Sequence, residues 1–132
     1  MQNENIKLSE GLVAILNQFN NAAREVRYIN KNWWIDIDTG KSLERNIGEL
    51  LMLVVSELSE AMEGDRKNLM DDKLTHRKMF EVEIADAFIR LLDISGGLGL
   101  DISGAIAEKL AFNLNRADHK IENRLKENGK KY

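Results

Sequence analysis

Apolar residues along this chain recur at spacings of three and four rather than two, so the chain reads as helices. In the first segment, about residues 9–28, Leu12, Ile15, Leu16, Phe19, Ala23 and Val26 make one apolar face. A second helix is expected from Ser42, as N-cap, to Met62 or Glu63, with Gly64 as C-cap. A third covers about 77–94 and stops at Ser95-Gly96-Gly97. A fourth begins near Ser103 and reaches about Leu125, leaving ENGKKY as a frayed tail. Residues 30–41 and 64–76 are polar and read as connections. Strand-like alternation is confined to Trp34-Ile35-Asp36-Ile37-Asp38. No proline interrupts the pattern. The expectation is an all-α chain: a four-to-five-helix bundle forming a single domain over residues 1–132, without an internal repeat.

Composition narrows the class. A chain of 132 residues can bury one core, but its surface is large for its volume, so association of subunits would help it. Hydrophobic residues at 43% and charged ones at 31% exclude disorder of the whole chain. The net charge of −3 gives no general basic footprint, so a nucleic-acid polymer is not an expected partner. No apolar run approaches the roughly 18 residues of a membrane helix, and MQNENIKLSEG lacks a basic start followed by an apolar stretch, so a signal peptide is not expected. The absence of cysteine excludes disulfides, thiolate metal sites and a Cys nucleophile. A cytoplasmic protein without a membrane partner is expected.

Two helices break the apolar pattern in the same way. In the second predicted helix, Leu50, Val54, Leu58 and Ala61 define the apolar arc; Glu57 falls inside it and Glu60 at its edge. The third is apolar nearly all round, and its main polar stripe is Glu83, Asp86, Arg90 and Asp93. Each helix therefore aims an acidic pair, i and i+3, toward the interior. Carboxylates converging in a low-dielectric space must protonate, pair with cations or hold a metal. Oxygen donors without His or Cys suit Mg²⁺ first and Mn²⁺ second. On spacing alone, an ion-pair network through Arg90, Lys109 or Arg116 stands level with the metal.

Other residues carry weaker signals. Lys109, Asn113 and Arg116 lie at i, i+4 and i+7 of the fourth predicted helix. They would form either a grip for phosphate oxygens or an ordinary solvated face. Trp33 and Trp34 would stack on a base or anchor their loop to the core. Asn20, Asn21 and Arg24 could reach a base edge. Thr39-Gly40-Lys41-Ser42 lacks the upstream glycine and preceding strand of a P-loop, although Lys41 beside a helix start could meet an anion. His76 and His119 form no Glu-x-x-His, which counts against a di-metal carboxylate oxidoreductase.

The ordered set, Glu57-Leu-Ser-Glu60, a spacer over 61–82, then Glu83-Ile-Ala-Asp86, resembles the MazG-like all-α nucleoside triphosphate pyrophosphohydrolases, related to dimeric dUTPases and dCTP pyrophosphatases. GELLMLVVSELSEAMEG, EVEIADAFIRLLDI and KLAFNLNR carry the likeness, over about residues 42–118. The resemblance implies that Glu57, Glu60, Glu83 and Asp86 bind Mg²⁺, and that Glu57 or Glu60 orients or deprotonates the attacking water. It implies cleavage of a nucleoside triphosphate to monophosphate and pyrophosphate, for house-cleaning or control of nucleotide pools. It also implies phosphate or sugar contacts from Lys109, Asn113 and Arg116, and a homodimer or homotetramer. The dCTP-hydrolysing relatives have a tryptophan near Trp33 and Trp34, but they also have an aromatic where this chain has Lys67, so the resemblance leaves the preferred base open. The competing expectation is a non-catalytic helical adaptor or regulatory oligomer that keeps the fold.

Overall fold

The computed structural model describes residues 5–132. The helices run α1 Glu10–Leu16, α2 Phe19–Ile29, α3 Ile47–Arg66, α4 Met79–Gly97, α5 Ile102–Leu114 and α6 Ile121–Arg124. Short 3-10 turns occupy Lys31–Trp34 and Ala117–His119. Among the described residues there is no β-strand, only the isolated bridges Ile35 to Ser42 and Met70 to Lys78. The fold is all-α. Among the described residues no helix is long and apolar enough to cross a membrane. The chain divides into two compact units, one of residues through Asn20 together with Asp101–Tyr132, the other Asn21–Leu100.

The Asn21–Leu100 unit is built on α3 and α4, which pack antiparallel as a helical hairpin. Their buried residues follow a seam. On α3 these are Leu50, Val54, Glu57, Ala61 and Gly64, alternating by four and three. On α4, Glu83, Ala87 and Ile94 keep the same rhythm, with Arg90 at the position between the last two. Such a rhythm is what two helices crossing at a shallow angle require. Trp34, Leu50, Val54, Ala87 and Ile94 form the apolar core around it.

Helix ends depart from the expected positions. The first predicted helix is broken at Asn17 and Gln18 into α1 and α2. The start of α3 is at Ile47 rather than near Ser42, because the Asn46 side chain accepts from the Glu49 N–H and caps it. Ser42 instead closes a turn against Ile35, within which Gly40 takes a positive φ of 68°. Lys41 therefore lies on a loop, away from any helix start. Gly64 is not a C-cap: α3 continues to Arg66, and a Cβ at Gly64 would sit 2.9 Å from Met79 Cγ. The glycine permits the close approach of α4.

In the other unit, Ser9 caps α1 through the Leu12 N–H, and Asp101 caps α5 through the Gly104 N–H. Asn20 clamps the start of α5. Its amide donates to Asp101 at 2.8 Å, and its side-chain oxygen accepts from the Ser103 N–H at 3.0 Å. The fourth predicted helix stops at Leu114 rather than near Leu125. There the Asn115 amide turns back to the Ala111 carbonyl and also exchanges hydrogen bonds with Ile6.

At the end of α4 a Cβ on Gly97 would run into the Trp34 ring. Gly97→Ala should therefore lower stability by about 1–3 kcal/mol, as overpacking does. Gly11→Ala, where nothing lies within 4 Å of the added carbon, should be neutral or slightly stabilising. Urea unfolding of the two variants checks the contrast.

Candidate metal centre

Glu57 on α3 and Glu83 on α4 occupy seam positions where apolar residues would ordinarily sit, and each is only 8% exposed. Glu60, one turn after Glu57, is exposed. Each of these three residues offers a carboxylate oxygen, and the oxygens all lie within 4.8 Å of one another. Asp86, one turn along α4 from Glu83, is half-buried. It stands outside that cluster but close enough to add to the negative field on Glu83. The structure thus brings three of the four expected carboxylates together, with the fourth alongside.

Burial pushes the Glu83 carboxyl up to about 7, helped by the negative charge of Glu60, a hydrogen bond to Glu57, and the charges of Glu57 and Asp86. Protonated Glu83 donates to Glu57. Glu57 also accepts from Arg90 Nε at 2.5 Å, across 33 residues of sequence. One proton and one guanidinium therefore balance the buried charge. Of the ion-pair partners anticipated from sequence, Arg90 meets the cluster within its own unit. Lys109 lies over the Phe112 ring, and Arg116 makes a two-pronged pair with Asp118.

Beside the carboxylates opens a cleft of about 560 Å³, walled by Trp33, Arg45, Glu57, Asp86, Arg90 and Asp93 among others. The tandem tryptophans part company here. Trp34 is 5% exposed and packs in the core. Its indole N–H donates to Asp93 at 3.0 Å, and the Arg27 guanidinium lies 4.7 Å from its ring centroid. That burial makes Trp34 the anchor of its loop. Trp33 is 72% exposed on the cleft wall, so it is the indole with a free face. Of the two, only Trp33 has a ring face left to offer a ligand, because a ring inside the core has none.

Lys109, Asn113 and Arg116 belong to the other unit. Lys109 and Asn113 are on α5, but Arg116 lies beyond its end with extended backbone, so the three do not share a helix face. The Asn113 side-chain oxygen is buried and has no hydrogen-bond partner among the described residues. Asn20 is spent on capping, and Arg24 is paired with Asn21. Three polar cleft residues carried no sequence signal, Asn30, Arg45 and Glu49. Asp93 was visible only as the end of the polar stripe on α4, and its tie to Trp34 depends on the fold. No family model matches the chain, and no curated protein or solved structure matches it.

The raised Glu83 carboxyl sets a pH dependence. Its protonated form is favoured on folding, so its contribution is fully present below the usual value of 4.5 and is lost as pH rises through about 7. The loss is on the order of 3 kcal/mol. Metal-free protein should melt at lower temperature at pH 8 than at pH 5.5. Added Mg²⁺ should raise the melting temperature more at pH 8, where no proton competes for the site. An equal Mg²⁺ effect at both values would contradict the assignment.

Proposed function

We propose that the chain is a divalent-cation-dependent nucleoside triphosphate pyrophosphohydrolase of the MazG-like kind, working as a homo-oligomeric helical bundle. It would convert a nucleoside triphosphate to its monophosphate and pyrophosphate. The observation that carries this reading is the burial of Glu57 and Glu83 in the helix seam, with Glu60 within 4.8 Å and an open cleft alongside. A proton on Glu83 and the Arg90 guanidinium balance these buried acids in the metal-free protein. Both are exchangeable, so a hard cation could take their place.

The donor set fits the ion. Glu57, Glu60 and Glu83 offer only oxygen atoms within reach of one another, as Mg²⁺ or Mn²⁺ requires, and Asp86 adjoins them. Bound there, the ion would supply positive charge to the phosphate oxygens during displacement. The chain's own residues do the rest. Glu60 is the carboxylate exposed to solvent and so accepts the proton of the attacking water. Before an ion binds, Arg90 holds Glu57 within the acidic cluster. The water attacks the α phosphorus, the bond to the bridging oxygen breaks, and pyrophosphate leaves. Trp33 lends its exposed face to the base, and Arg45 on the same wall faces the anionic end of the ligand. In this reading Lys109, Asn113 and Arg116 contact phosphate or sugar in the assembled oligomer, for which Arg116 must give up Asp118.

The test is incubation with a panel of ribo- and deoxyribonucleoside triphosphates, with Mg²⁺ and with EDTA. Monophosphate plus pyrophosphate, lost with EDTA, is expected. Diphosphate plus orthophosphate would refute the bond assignment. No turnover by folded, metal-loaded protein would leave the adaptor reading. Glu60→Gln and Asp86→Asn should each lower kcat/KM at least about a hundredfold while the helical circular-dichroism signal stays. Trp33→Ala should mainly raise KM, and full activity in both carboxylate variants would sink the metal assignment.

A further inference from the structure

Arg90 is placed where a seam needs an apolar side chain. Buried Ala87 precedes it by three residues and buried Ile94 follows it by four. A guanidinium there must find an acceptor or reach water. It does both: Nε donates to Glu57 Oε1 at 2.5 Å, while the side chain remains 40% exposed on the cleft wall. The Glu57 side chain is only 11% exposed. The same carboxylate is one of the three whose oxygens gather within 4.8 Å. Arg90 and a divalent cation would therefore draw on one ligand.

Resting on the reading of this site as a metal–polyphosphate centre, we propose that Arg90 is a built-in counter-cation exchanged during ligand binding. It holds Glu57 while the site carries no metal. When Glu57 turns to a divalent cation, the freed guanidinium takes a phosphate group of the ligand in the same cleft. The exchange suits the chemistry of the side chain. Arginine cannot lose its charge to escape the competition, and its planar fork matches phosphate as well as carboxylate. The cleft also holds Asp86 and Asp93 within its wall. Asp93 is occupied by the Trp34 indole N–H, and Asp86 lies one turn before Arg90 on the same helix face. A guanidinium released from Glu57 stays near negative charge and is not driven out to solvent. Arg90 is thus a positioning residue toward the metal and a binding residue toward the phosphate.

The two roles predict shifts of opposite sign, which a purely structural role would not produce. Mn²⁺ alone, followed by electron paramagnetic resonance, should bind Arg90→Met about fivefold more tightly than wild type, because the internal competitor is gone. Inorganic tripolyphosphate, titrated calorimetrically in saturating Mn²⁺, should bind the same variant about tenfold more weakly. Arg90→Lys, which keeps the charge, should stay near wild type for Mn²⁺ and fall between the other two for tripolyphosphate. It also provides the comparison if Arg90→Met folds poorly by circular dichroism. Unchanged or weaker Mn²⁺ binding by Arg90→Met, with wild type binding normally, would overturn the exchange alone. Wild type that takes up no Mn²⁺ would overturn the metal reading and the exchange with it.

Discussion

Two carboxylates inside a helix–helix seam are the constraint on which the rest of the Asn21–Leu100 unit turns. Glu57 and Glu83 face each other between α3 and α4, where packing rhythm calls for apolar side chains. Their charge cannot be left unbalanced in a low-dielectric contact. The unit answers with a proton held on Glu83 and the Arg90 guanidinium held on Glu57. Neither is a bulky or permanent plug. A proton leaves as pH rises, and a half-exposed arginine can swing. Leu50, Val54, Ala61 and Ala87 are buried around the acids and add apolar cohesion to the seam.

The cleft wall follows from how that hairpin is buttressed. Trp34 fills the space beside Gly97, at the end of α4, and ties its indole N–H to Asp93. This fixes the 3-10 turn Lys31–Trp34 against the helices. With Trp34 inside, its neighbour is held outside, on the rim. Arg45 donates to the Trp33 carbonyl at 2.9 Å, which fastens the loop on its other side. An exposed indole, two arginines and the carboxylates thus share one wall because a neighbouring tryptophan is buried. The arrangement joins an apolar face to an anion-seeking and a cation-seeking group, the combination a nucleotide with its metal would need.

Much of this was legible from residue spacing. The all-α class, the positions of the hairpin helices within a few residues and the inward direction of Glu57 and Glu83 all follow from a period of three and four. That is local information: a carboxylate inside an apolar arc is visible in one helix alone. The loop tryptophans and the polar stripe ending in Asp93 were also visible, but as undivided groups. Which indole is buried, and which cation reaches the acids, was not.

The limit has a physical cause. By itself the sequence determined helix periodicity and the chemical character of each face, because both arise within a few turns of backbone. Only tertiary structure decided the ends and the pairings. Asn46 rather than Ser42 starts α3, α5 stops where Asn115 engages Ala111 and Ile6, and Gly64 serves close packing rather than termination. Each is a competition among several adequate local choices, settled by a partner elsewhere. The same holds at the site. Arg90 meets Glu57 across 33 residues, and Trp34 meets Asp93 across 59. Burial, and with it the chemistry of an acid or an indole, belongs to the surface that covers a residue, and that surface comes from distant parts of the chain.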